Sequence, residues 1–249
     1  MTNEVDMAQG ENPDAAKSQR SRGVWLFLRD ILLIFLAALL ISFLIKTFLI
    51  RSFYIPSESM EDTLIRNDRI IVNQLTPDLT PLNRGDVVVF QDPGGWLDSQ
   101  IEVQQPPFLE AVDTVLSFVG LSAADSNDHL IKRIIGLPGD NVVCCDDFGR
   151  VSVNGVPLTE PYIKLPSGAA KSTPEDFDIV VPDDSLWVMG DNRYSSADSA
   201  FHHLKDPGHE YVPLDDVVGR AVVISWPISR WTWLDNYPLV FSEIDSEQP

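Results

Sequence analysis

Apolar and polar positions fall into contrasting regimes along this chain. From Val24 to Ile50, "VWLFLRDILLIFLAALLISFLIKTFLI", nearly every position is apolar and only Arg29, Asp30 and Lys46 carry charge. A helix over this run has no polar face, and about 27 residues rising about 1.5 Å each reach about 40 Å, beyond a bilayer's hydrocarbon core. The pattern predicts a transmembrane anchor over 24–50, its charged side chains near the ends and able to reach the headgroups. A cleavable leader would have a shorter apolar core and then a small-residue cut site. Here the run continues instead through Lys46, Phe48, Leu49, Ile50 and Arg51, so the anchor is expected to be uncleaved.

Residues 1–23 are polar, with Glu4, Asp6, Glu11 and Asp14 followed by Lys17, Arg20 and Arg22, and a disordered tail is expected there. Basic residues outnumber those beyond the span, so the positive-inside bias predicts a cytoplasmic N-terminus, a single pass and an extracytoplasmic body over 51–249. In that body the pattern changes to short alternating runs bounded by turn formers. They are "RIIVNQL" from Arg69, "DVVVF" from Asp86, "LIKRII" from Leu130, "NVVCC" from Asn141, "RVSVNG" from Arg150, "FDIVV" from Phe177, "SLWVM" from Ser185 and "VVGRAVVISW" from Val217. Asn154-Gly155 marks a tight turn, and no helices alternate with the strands, so the class is mainly β. Between about 92 and 128, Leu109, Val112, Leu116 and Val119 recur at helical spacing and predict an inserted helix.

The chain's 249 residues, 44% of them hydrophobic and 22% charged, suffice for a real core. A formal charge of −19 and a pI near 4.3 exclude a nucleic-acid partner, which needs clustered Lys and Arg. The two cysteines, Cys144 and Cys145, are adjacent; buried thiols on a strand are favoured over a vicinal disulfide. The acidic residues lack a calcium-loop pattern and the His202-His203 pair supplies too few ligands, so no metal and no cofactor are expected.

Three segments offer chemistry. "IPSESMEDTL", Ile55 to Leu64, places Ser57 and Ser59 shortly after the anchor; eight residues beyond Arg51, Ser59 stands at most about 30 Å from the end of the span. Locally these serines read either as a turn or helix cap or as a nucleophile and its neighbour. No G-x-S-x-G motif surrounds any serine, and the four histidines, His129, His202, His203 and His209, give an ordinary triad little support. A lysine serves as base when an apolar setting lowers its pKa. In "LIKRIIG", strand alternation puts Lys132 on the face of Leu130 and Ile134, as a general base or as an edge lysine that discourages pairing. "GDNRYSSADSA", Gly190 to Ala200, is either a structural loop or the source of a hydroxyl that orients the amine.

Taken in order, the anchor, "PSESMEDTL", "RGDVVVF", "IKRIIGLPGD" and "GDNRYSSADS" resemble bacterial type I signal peptidase, the membrane-anchored Ser/Lys protease family that releases exported proteins from their signal peptides. The resemblance implies a barrel-like β protease domain. Ser59 would be the nucleophile and Lys132 the general base. Ser57 and the Ser59 N–H would form the oxyanion hole, with Ser196 and Asp198 in support. Phe53, Ile55, Met60, Leu64, Leu130 and Ile131 would line shallow subsites for small residues, typically Ala, one and three positions before the cut. Implied partners are signal peptides of preproteins and the lipid bilayer, and a monomer in the cell membrane is expected. Two positions depart from the family pattern: Ala200 replaces an Arg, so a partner for Asp198 must come from elsewhere, Arg193 or Arg133, and Asp62 replaces a Pro. A non-catalytic peptide-binding module is disfavoured by the joint retention of Ser59, Lys132 and Ser196. A soluble self-cleaving repressor is rejected because an anchor stands where its DNA-binding domain would be.

Overall fold

Helix α1 runs from Pro13 to Phe48, and its section Trp25–Ile45 has a mean hydropathy of 2.5 and side chains turned outward. These 21 residues cover about 30 Å, the thickness of a bilayer's hydrocarbon core. Within it Arg29 pairs with its neighbour Asp30 at 2.9 Å, so the two charges partly cancel. The computed structural model describes residues 13–77, 79–97 and 128–246, and the chain divides into two units after Ile45.

Two boundaries differ from expectation. Residues 13–23, expected as part of a disordered tail, are helical, because Pro13 suits a first helical turn and Ala15, Ala16 and Lys17 are good helix formers. The apolar run also stops being helical before Ile50, which instead opens strand β1 (Ile50–Tyr54) by pairing with Asn73. The inserted helix expected around Leu109 to Val119 lies outside the described residues. The base of that insertion is closed, with the Asp92 N–H donating to the Asp128 carbonyl at 3.2 Å.

All eight runs anticipated as strands are strands. They form β2 (Arg69–Asn73), β3 (Val87–Gln91), β4 (His129–Gly136), β5 (Asn141–Cys144), β6 (Val151–Val153), β8 (Phe177–Val180), β9 (Ser185–Met189) and β11 (Val217–Trp226). Three two-residue strands join them: β7 (Val156–Pro157), β10 (Val212–Pro213) and β12 (Thr232–Trp233). One antiparallel sheet has the order β1-β2-β11-β3-β4-β9-β10, with β12 on β11, and a second has the order β7-β6-β5-β8. Asn154 and Gly155, with φ of 52° and 81°, make the tight turn between β6 and β7, a conformation that Gly adopts without strain.

The long sheet is covered on both faces. Along β3, Val87 and Val89 enter a core with Phe53, Ile55, Met60, Leu64 and Ile131, while Val88 and Phe90 enter another with Trp96, Ile134 and Leu186. The sheet curls so that β1 approaches β4: the rings of Phe53 and His129 are 5.2 Å apart. Helix α2 (Ser199–Lys205) follows β9, capped by Asp198, and helix α3 (Pro238–Ser246) sends Phe241 and Ile244 into the core of the second sheet. At the end of β5 the Cys144 and Cys145 sulfurs are joined, which corrects the expectation of two buried thiols. Adjacency had argued against a loop-closing bridge, yet neighbouring side chains can still reach each other.

Candidate active site

Ile55 is the last residue before the loop that bears Ser57 and Ser59. The Ile55 N–H donates to the Asp68 carbonyl, the Asn67 N–H returns to the Ile55 carbonyl, and the Ile65 N–H donates to the Asp68 carboxylate at 3.0 Å. Both ends of the loop are therefore tied to one residue. Between them Met60 and Leu64 turn into the core, which forces Ser59 to the wall of the domain, while Ser57 stays in solvent.

Lys132 arrives from β4. Its neighbours in register are Val88 on β3 and, on its own strand, Leu130 and Ile134, which share one core. Ser59 and Lys132 are almost wholly buried, and Lys132 Nζ stands 2.8 Å from Ser59 Oγ. Burial lowers the Lys132 pKa to about 8 against the upward pull of the Asp198 and Asp191 carboxylates. A neutral amine at that distance accepts the serine proton; the ammonium donates to the same oxygen. Ser57 Oγ lies 3.3 Å from Ser59 Oγ, so both hydroxyls face one small volume.

The loop after β9 completes the wall. The Asn192 N–H donates to the Ser59 carbonyl at 3.0 Å and its side-chain amide to the Glu58 carbonyl at 3.1 Å, which fixes the peptide on either side of Ser59. A Cβ on Gly190 would stand 2.3 Å from Ser196 Oγ and 2.5 Å from the Ser59 carbonyl oxygen, so only glycine admits this approach. Ser196 faces Asp198 closely enough to favour its charged form without completing a hydrogen bond of good geometry, and Ser196 Oγ has no hydrogen-bond partner among the described residues. Asp198 is buried, which raises its pKa, and it accepts N–H groups from Gly190 at 2.8 Å and from Ala200 at 3.2 Å.

Neither arginine suggested for Asp198 pairs with it. Arg133 is bidentate to Asp191 at 2.8 and 2.7 Å, and Arg193 is bidentate to Glu160; all four side chains are buried. Among the described residues no guanidinium forms a salt bridge with Asp198, whose charge is held by backbone N–H groups and by Lys132. Asp191 is a neighbour of the site that sequence reasoning did not pick out, and Arg133 entered that reasoning only as a partner for Asp198. The signal was present in "KR" and "GDNR", where a charged residue sits inside an apolar strand and an acidic one inside a buried turn.

Of the residues expected to line substrate pockets, Phe53, Ile55, Met60 and Leu64 are packed in the core with at most 2% exposure, and Ile131 keeps 8%. Leu130 is half-buried. Met60 and Leu64 are core residues because the turn they belong to needs an apolar underside. Two open strand sides do meet here: β1 ends its sheet, and β9 pairs with β4 only between Arg133 and Gly136, which leaves Leu130–Lys132 without a strand on that side among the described residues. One group of three side chains with metal-ligand atoms occurs among the described residues, Cys144, Cys145 and Asp176. Its sulfurs are bonded to each other and its carboxylate is held by Lys171, so it is not a ready ligand set.

The model of the family described as signal peptidase, peptidase S26, matches residues 28–226. A probable signal peptidase I of Mycobacterium leprae is 39% identical over 200 residues, 71% of this chain and 68% of that protein. A signal peptidase I of Leptolyngbya laminosa is 40% identical over 177 residues, 71% of this chain and 69% of that protein. Among solved structures, a signal peptidase I of Enterococcus faecalis aligns with a TM-score of 0.35 and 23% identity, over 56% of this chain and 95% of that one. With its site residues inside the matched span and one N-terminal helix apolar enough to cross a membrane, the chain belongs to the signal peptidase family, peptidase S26, whose members are membrane-anchored peptidases.

Proposed function

We propose that the chain cleaves signal peptides from exported preproteins, after small residues at an Ala-x-Ala site, by a Ser/Lys mechanism. The observation that carries this reading is the 2.8 Å contact between Ser59 Oγ and the Nζ of a buried lysine whose pKa lies near 8. Neutral Lys132 takes the Ser59 proton as Oγ attacks the scissile carbonyl carbon. The oxyanion is received by the Ser57 hydroxyl and the Ser59 N–H. Collapse expels the mature protein's amino group, protonated by Lys132, and leaves an acyl-enzyme. Lys132 then deprotonates a water that attacks the ester, and Ser59 leaves with its proton restored. Ser196, whose hydroxyl has no hydrogen-bond partner among the described residues, is assigned to orient the amine during the reaction, and Asp198 to support the loop that carries Ser196.

Substrate lies extended between the open sides of β1 and β4, hydrogen-bonded to backbone. Leu130 and Ile131 contribute the surface of the small subsites, with Phe53, Ile55, Met60 and Leu64 beneath them. The anchor at 25–45 holds the domain at a bilayer with a cytoplasmic N-terminus and an extracytoplasmic site, and the enzyme works as a monomer. The test is cleavage of an Ala-x-Ala preprotein by the detergent-solubilised chain beside folded Ser59→Ala and Lys132→Ala proteins. Cleavage by the native chain alone supports the reading; undiminished cleavage by both variants overturns it.

A further inference from the structure

The family match ends at residue 226, but two of the attachments that hold the site come from residues beyond it. The chain leaves β11 at Trp226, makes a 3-10 turn over Ile228–Arg230, returns beside β11 as β12 and runs through Leu234–Tyr237 into α3. From the turn, Arg230 reaches the loop that carries Ser59. Its Nε donates to Asp68 Oδ1 at 2.9 Å, and its Nη2 donates to Asp68 Oδ2 at 3.0 Å and to the Thr63 carbonyl at 3.2 Å. Asp68 is completely buried and is the residue to which both ends of the Ser57–Leu64 loop are tied.

The second attachment is on the lysine side. The carbonyl of Asp235 accepts from Arg133 Nη1 at 3.1 Å, and the Arg133 guanidinium carbon lies 5.3 Å from the centre of the Tyr237 ring. Arg133 directly follows Lys132 on β4. One short segment thus grips the nucleophile loop at one point and the base-bearing strand at another, while β11 and β12 fix its own path.

We infer that residues 228–237 act as a strap that sets the distance between Ser59 and Lys132, with Arg230 as its positioning residue. The inference rests on the Ser/Lys reading proposed above. Arg230 touches neither Ser59 nor Lys132; it acts through Asp68 and Thr63. Removing its guanidinium leaves the Asp68 carboxylate buried with the Ile65 N–H as its one donor among the described residues, so the loop ends relax and Ser59 drifts from the amine. Displacements of about 1 Å in such a pair cost on the order of tenfold to a hundredfold in rate. Loss of mere stability would lower the folded fraction and leave the turnover of each folded molecule alone.

The experiment uses the full chain in detergent and a preprotein with an Ala-x-Ala site. It compares Arg230→Ala, Arg230→Lys, Asp68→Asn and the Arg230→Ala/Asp68→Asn pair with the native chain and with Ser59→Ala. Folded fraction is read by circular dichroism and kcat is expressed per folded molecule. The strap predicts that Arg230→Ala lowers kcat at least about tenfold with KM within about twofold, and that Arg230→Lys recovers part of the loss. The double variant is no slower than Arg230→Ala, because both changes cut one link. Should Arg230→Ala not fold, Arg230→Lys and Asp68→Asn carry the same expectation in milder form. A native kcat per folded molecule in Arg230→Ala, or in both milder variants, overturns the strap while an inactive Ser59→Ala upholds the mechanism. Full activity of Ser59→Ala overturns the mechanism and the strap with it.

Discussion

Asp191 accepts both Nε and Nη2 of Arg133, at 2.8 and 2.7 Å, in a pair with no solvent exposure on either side chain. Asp191 also accepts the Thr63 hydroxyl at 2.5 Å, so this one carboxylate connects the strand that carries Lys132, the loop after β9 and the turn that follows Ser59. Tyr162 closes the pair off, with the Arg133 guanidinium 4.2 Å from its ring centre. The arrangement holds the site without taking part in bond making.

Asp191→Asn is expected to destabilise the domain by about 3–5 kcal/mol, because a buried guanidinium loses its counter-charge. Urea unfolding of the native and substituted chains measures this. An effect below about 1 kcal/mol contradicts the assigned role.

Activity should depend on the free amine of Lys132. With its pKa near 8, kcat/KM is expected to rise about tenfold per pH unit below that value and to level off above it. A pH profile with an uncharged reporter peptide checks this. The same shift affects stability: the folded pKa lies below the ordinary value of 10.5, so between about 8 and 10.5 the unfolded chain binds the proton more tightly. Stability attributable to Lys132 therefore rises with pH across that window, and the full cost of burying the charge is felt below it. Lys132→Met should be inactive and should lose that rise relative to the native chain in unfolding measured from pH 8 to 10.

Ser57→Ala should lower kcat by about 10²-fold with little change in KM, since in the proposed mechanism its hydroxyl serves an oxyanion that forms only along the reaction path. Ser57→Thr keeps the hydroxyl and should retain more activity. Steady-state kinetics on both variants is decisive, and an equal loss in the two would remove Ser57 from the oxyanion hole.

Gly190→Ala should abolish most activity although it adds one methyl group. The new carbon would press on Ser196 Oγ and on the Ser59 carbonyl, and Ser59 cannot yield without moving its own Oγ. A loss on the order of 100-fold in kcat is expected, with a loss of stability of about 1–3 kcal/mol. Comparing kcat with the unfolding midpoint separates the two effects.

Much of this was legible from local pattern. Alternation placed β2 and β11 because each buries about every second residue against a core, and Val87–Phe90 was readable because a run of four apolar residues suits a strand covered on both sides. Strands β7, β10 and β12 have two residues each and exist only because a neighbour pairs with them. Strand β1 was hidden in part by the apolar run before it, since Ile50 reads equally well as the end of a span. The resemblance implied Met60 and Leu64 as subsite residues, and their burial could not be read from a turn of mixed character.

The sequence by itself determined the apolar N-terminal helix, the β class and the three segments that carry Ser59, Lys132 and Ser196, because hydrophobic period, turn chemistry and motif order are local properties. The tertiary structure alone decided which groups meet. Ser59 and Lys132 are 73 positions apart, Arg133 and Asp191 are 58 apart, and Arg230 reaches Asp68 across 162. Arg193 stands near Asp198 in the chain and Arg133 far from it, yet each found a different carboxylate. A buried guanidinium takes the acid whose two oxygens match its N–H fork within the packed core, and that geometry arises only when the sheet has curled and closed around it.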